Sequence, residues 1–346
     1  MAHHEGSVPA GAPEATRVPG VRAAVPLTAR ILSLLPRPAW VWVVAWALVP
    51  WLNLVLVVHS GAEGWRWAGL PLVEVLNRAA VSFAVLLSLW GAARIAGELR
   101  TLRPTIADLV ADGDSDVARL FPGVGGVLAP LTLTVAVGVV LPLDEALRGE
   151  PVAAVLQAGT WLVIGIPLST AVWVYAALQI GLNRLGAGRA TLKPYSGDRT
   201  LGLRPVGSLA FTGFWMLFGS VAPLVVTGFA DRPTVVVGLV VLTGAAGLFF
   251  LSLRRLHRQM AAVKQRETEL ALDLYREAYR QVRAHPTLEV LREQAALLKA
   301  AEDLEKRAAQ VQTWPFDEVT MARVVTIATS VAAVVIARLI LAPAGL

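Results

Sequence analysis

Apolar positions in this chain gather into long runs, and the charged positions gather between them. The runs fall at about 39–58, 72–93, 125–143, 152–182, 206–229, 234–253 and 324–342. Most reach the ~18 residues that cross a hydrocarbon core as helix. The pattern predicts an all-α polytopic membrane protein with about seven transmembrane helices. Trp40 and Trp42 begin the first run, and Trp65 and Trp67 follow it, as expected of indole belts at two bilayer surfaces. Pro167 is expected to kink the fourth span, and Pro104 to stop the helix that continues from the second as far as Arg103.

The run at 234–253 passes without a break into Arg254-Arg255-Leu256-His257-Arg258 and then into charged, helix-favouring sequence. Apolar residues recur at three- and four-residue steps, first at Leu256, Met260, Val263, Leu270 and Leu274. They resume at Leu291, Ala295, Leu298, Ala301, Leu304, Ala308 and Val311. Each set makes one stripe on a polar helix. Between them, Ala284-His285-Pro286-Thr287 ends the first arm, and Thr287 can cap the second with Glu289 in its first turn. A cytosolic, coiled-coil-like antiparallel hairpin over 254–316 is the expectation. Stripes this narrow bury little in a lone pair, so the arms are expected to pack on other subunits or on cytosolic loops, as a homo-oligomer. Asp317 is placed to cap the last helix, with Phe316 and Met321 spaced as a hydrophobic staple.

The domain reading follows. Residues 1–20 form a disordered tail, and 21–37, with Arg22, Arg30 and Arg37, a basic interfacial segment. Residues 38–253 form a six-span bundle, 254–316 the hairpin, and 317–346 the last transmembrane helix and C-terminus.

Composition agrees with lipid as the solvent: 55% of residues are hydrophobic and 16% charged, against about 25% charged in soluble proteins. No cysteine is present, which removes disulfides, thiolate metal sites and cysteine nucleophiles. The net charge of +6 is explained by position. With seven spans, 25 of the 31 basic residues fall on one side. The positive-inside rule then predicts a plasma (inner) membrane protein with the N-terminus and hairpin cytosolic and the C-terminus outside. The basic side faces anionic lipid rather than nucleic acid. No signal peptide is expected, since polar or interrupted sequence precedes the first run.

Ionisable groups inside spans are the default functional candidates. Glu74, Asn77 and Arg78 stand together near the outer end of the second span, with Asp144, Glu145 and Arg338 at similar depth. They could ring an outer vestibule or ion path; equally, Glu74 and Arg78 could be a structural i, i+4 pair. Arg323, Thr326, Ser330 and Arg338 fall near one face of the last helix and could line a pore, or the hydroxyls could bond their own backbone. Gly238, Gly244 and Gly247 are expected to let helices approach closely. Asp112-Gly113-Asp114-Ser115-Asp116 begins like a calcium loop but has Val117 at the glycine position and Gly123 at the glutamate position. The five histidines lack metal-site spacing, and no nucleophile elbow occurs. No cofactor is expected, and an enzyme is disfavoured.

Two stretches, Asp198-Arg199-Thr200-Leu201-Gly202-Leu203-Arg204-Pro205-Val206-Gly207 and Trp314-Pro315-Phe316-Asp317, resemble parts of uncharacterised polytopic prokaryotic membrane proteins with a cytosolic helical hairpin before the last span. The resemblance implies a topology and no activity. The sequence favours an oligomeric ion channel or a membrane sensor whose hairpin couples to the spans. The alternatives are a secondary transporter, or a non-conducting scaffold that recruits a cytosolic partner.

Overall fold

The computed structural model describes residues 25–60, 72–109, 120–121, 123–140, 142, 147, 151–188, 199–226, 232–316, 322–326, 329–330, 333 and 337. The predicted tail, Trp65 and Trp67, the Asp112–Asp116 loop and the Asp317 and Met321 positions lie outside these residues. The described secondary structure is helical throughout. Eight helices follow in order: α1 (Leu27–Leu34), α2 (Ala39–Ser60), α3 (Leu72–Leu109), α4 (Leu128–Val140), α5 (Pro151–Leu185), α6 (Arg204–Val226), α7 (Arg232–Ala284) and α8 (Leu288–Gln310). Five of them, α2, α3, α5, α6 and α7, are long and apolar enough to cross a membrane by length and composition. These are the helices of an integral membrane protein. The third expected span appears as α4, whose 13 residues reach about 20 Å at 1.5 Å per residue, short of the ~30 Å hydrocarbon core. Of the last span, 322–326, 329–330, 333 and 337 are described, all helical.

The side-chain pairings fix the helix directions. Ser88 meets Ser220, and Gly91 lies against Met216, so α3 and α6 run antiparallel. Trp46 and Asn53 of α2 reach Val163 and Thr160 of α5, and Thr134 of α4 bonds Ser169 of α5. Those pairs are antiparallel too. Consequently α3, α5 and α7 all run toward the end of the bundle from which α7 continues, and α2, α4 and α6 run away from it. Helix α5 packs on α2, α3, α4, α6 and α7, which makes it the central element. Its apolar window is 56% buried, as is that of α6, against 33% for α3 and α7. Only the central helices are largely wrapped by protein; the peripheral ones keep apolar faces for another solvent.

Three sequence expectations change. Helix α3 continues through Pro104 to Leu109, because the proline forfeits one backbone bond without ending a helix whose flanks continue to pack, as Leu99 and Ile106 do. The seam between the distal part of α7 and α8 uses smaller residues than predicted. Ala271, Ala278, Ala301 and Ala308 are buried there with Gln294, while Leu270, Leu291 and Ala295 are exposed. Close approach of two alanine-lined helices displaces the leucines to the flanks. Finally, Gly238 lies against Val225, but a side chain at Gly244 or Gly247 would meet open space, so only the first serves close packing.

Candidate functional site

Several elements converge where α7 leaves the bundle. The junction begins with Thr200-Leu201-Gly202-Leu203. Leu201 and Gly202 have φ of 56° and 85°, and Leu203 N donates to Thr200 O at 3.0 Å, which closes a tight turn. A leucine in the left-handed region costs about 1 kcal/mol or more. Burial of the Leu201 and Leu203 side chains offsets that strain. The turn delivers the first turn of α6, where a Cβ on Gly207 would overlap the carbonyl oxygen of Pro315. Glycine is required here so that the returning chain can seat on α6.

That returning chain is Trp314-Pro315-Phe316. Phe316 stacks on Phe249 of α7 with centroids 5.8 Å apart, and Trp314 stacks on Phe316 at 5.7 Å. His257 of α7 stacks on the other face of the set, 4.4 Å from Trp314. Its Nδ1 lies 2.7 Å from Thr313 O, an acceptor, so this nitrogen carries the proton. Gln312 N donates to Arg199 O at 2.8 Å, and Lys264 Nζ donates to Ala309 O and Val311 O. The lysine thereby satisfies carbonyls left open at the end of α8. The segment is thus bonded to the turn before α6 on one side and to α7 on the other.

A polar ladder holds α7 in register with α5. Tyr175 donates to Ala245 O at 2.6 Å, Ser252 bonds Gln179 Oε1, and Gln259 Nε2 donates to Gly186 O and Gly188 O. On α7 the rungs recur every seven residues, at 245, 252 and 259, which is how a parallel helix pair repeats its contacts. Gln179 is 2% exposed, and its Nε2 has no hydrogen-bond partner among the described residues. Such an orphaned donor costs about 1–3 kcal/mol.

The predicted site residues that are described lie on two elements, α3 and the last helix. Arg78 Nη2 lies 2.6 Å from Glu74 Oε1, an ion pair whose alignment is not that of a hydrogen bond. Asn77 Oδ1, Arg78 Nε and, one turn on, Ser82 Oγ are buried without hydrogen-bond partners among the described residues. This cluster occupies the first turns of α3, at the end of the bundle opposite the His257 junction. On the last helix Arg323, Thr326 and Ser330 are exposed, and Ser330 donates to Thr326 O at 2.8 Å. Asp144, Glu145 and Arg338 lie outside the described residues. Among the described residues no group of three or more His, Asp or Glu is placed to hold a metal ion.

Sequence reasoning passed over His257, Phe249 and Gly207, because an isolated histidine or glycine has no periodicity. The available signal was the pair of stretches at 198–207 and 314–317, singled out together for a resemblance; in the fold Gly207 of the first meets Pro315 of the second. Compared with protein-family models, curated proteins and solved structures, the chain matches none.

Proposed function

We propose that this protein is a membrane sensor in which α7 acts as a lever, coupling the two-helix rod made by its distal part and α8 to the bundle. One observation carries the reading: α7 runs for 53 residues, about 80 Å at 1.5 Å per residue, from the bundle into the rod without a break. A displacement of the rod therefore reaches α5 through the Tyr175, Gln179 and Gln259 rungs. It reaches α6 through Phe249 and the Trp314–Phe316 segment, which precedes the last helix in the chain. The rod lies in the cytosol in this reading. Near its exit stand Arg100, Arg199, Arg204, Arg254, Arg255 and Arg258, none of them in an ion pair among the described residues. Anionic lipid headgroups are the counter-charge that suits them. A nitroxide on a cysteine at Ser330 tests the lever in the full chain. Trp314→Ala should change the mobility of the label, and an unchanged spectrum would overturn the coupling.

Ion conduction is a second reading, supported by the unpartnered Asn77, Arg78 and Ser82 atoms in a span, where each unmet group is costly and water or an ion would meet it. Planar-bilayer recordings that stay silent across voltage, tension and pH would overturn it. Secondary transport is less well supported. Its expected signature is paired broken helices, whereas Pro50, Pro167 and Pro223 all sit inside continuous helices.

A further inference from the structure

The rod carries its large apolar residues on the outside. Tyr279 is 65% exposed, Leu288 75%, Leu291 46% and Leu272 42%, although the seam beside them is filled by alanine. Helical geometry decides which of these share a face. Ala271 points into the seam, and each following residue turns about 100° clockwise seen down α7, so Leu272 and Tyr279 fall on one flank. Helix α8 runs the other way, as the Gln281–Gln294 and Lys264–Val311 contacts show. From Gln294 in its seam, Leu288, Leu291 and Ala295 rotate to that same flank. Leu270 and Leu297 fall on the opposite one.

We infer that a second copy of this chain seats on the Leu272–Tyr279–Leu288–Leu291 flank, with the two rods side by side and parallel. The inference rests on the reading that α7 carries every rod out of the membrane in one direction, which holds the copies at equal height. Two points favour a copy over another occupant. The first is area. The 23 residues of α8 make a flank about 35 Å long and, with two helices side by side, about 20 Å wide. That roughly 700 Å² footprint is close to the ~800 Å² per partner of a specific interface. The second is charge. The Gln281–Gln294 and Lys264–Val311 contacts place residues whose numbers add to about 575 at one height, so Glu269 stands level with Lys306, and Arg276 is level with Lys299 and roughly 4.5 Å along the rod from Glu302. In a parallel pair α7 of one copy faces α8 of the other. Glu269 then meets the second copy's Lys306, already paired with Glu302 of its own chain, along the rim of the apolar strip.

The absence of cysteine makes the test direct. Single cysteines are placed in the full chain, in proteoliposomes, at Tyr279 and Leu291 on the proposed face and at Leu270 and Leu297 on the other. All four sites are exposed, so the substitutions leave the seam intact. A short bismaleimide should give dimer from Y279C and L291C, several-fold more than from L270C and L297C. No dimer at Y279C and L291C, or equal dimer at all four sites, would overturn the inference. The nitroxide experiment at Ser330 reports on the lever within one copy, so either idea can fail without the other.

Discussion

His257 lies flat against Trp314, with ring planes 22° apart and centroids separated by 4.4 Å, and it is bonded to the carbonyl of the residue before it. One side chain of a long helix thus holds both the plane and the backbone of the segment that returns from the rod. The stack continues through Phe316 to Phe249, one helical turn above Leu253.

Removing an inner ring of that stack should loosen the junction. Phe316 is buried, so Phe316→Ala is expected to cost about 3 kcal/mol or more. Half-buried Trp314→Ala should cost less. Thermal unfolding in mild detergent checks the ranking, which a larger loss for Trp314→Ala would reverse.

Gly207→Ala should be as harmful as a core truncation, although it adds one methyl. The Cβ would collide with a backbone oxygen, which cannot rotate away as a side chain would, and overpacking of this kind costs about 1–3 kcal/mol. Limited proteolysis near Pro315 should speed up in the variant. An unchanged cleavage rate and melting temperature would mean that the segment does not seat on α6.

How much of this was legible beforehand depends on the kind of signal. Length and hydropathy located the spans α2, α3, α5 and α6 to within a few residues, and continuity of helix-favouring sequence located α7. Thr287 does cap α8, accepting from Val290 N at 3.3 Å. Stripe phase was harder. A pattern of three- and four-residue steps could not tell Leu270 from Ala271, because both are apolar and the choice belongs to the partner helix. The junction was least legible, since it joins residues about 110 positions apart through aromatic faces and one glycine.

The seam gives its own prediction. Ala271→Leu should destabilise the rod by about 1–3 kcal/mol, because two backbones must separate to admit it. Leu270→Ala should change stability by less than about 0.5 kcal/mol, as exposed sites do. Chemical denaturation of the full chain, followed by a fluorophore on the rod, separates the two. The opposite ranking would restore the leucine seam.

The α5–α7 ladder predicts a non-additive pair. Ser252→Ala leaves the buried Gln179 Oε1 without the hydroxyl that donates to it, at about 1–3 kcal/mol. Adding Gln179→Leu should recover much of that loss, since no polar group is then stranded. A double-mutant cycle in detergent measures it, and strict additivity would contradict the bond.

On the rod surface, the hydrogen bond and charge of Lys306 lower the Glu302 carboxyl from 4.5, and the same pairing raises Lys306 from 10.5. The pair's contribution is therefore complete between pH 4.5 and 10.5. Below that window it is lost as pH falls through the lowered Glu302 value, and above it as pH rises through the raised Lys306 value. Carboxyl NMR of Lys306→Gln should show Glu302 titrating closer to 4.5. An unmoved midpoint would mean that the ion pair does not form in solution.

The central claim is that α7 is one stiff helix across its exit from the bundle, and amide hydrogen exchange of the membrane-embedded full chain addresses it most directly. Protection should run unbroken from Phe249 through Met260, with Arg254 to Arg258 exchanging no faster than the residues on either side. Rapid exchange confined to 254–258 would reveal a hinge there, and a hinged α7 could not act as the lever described.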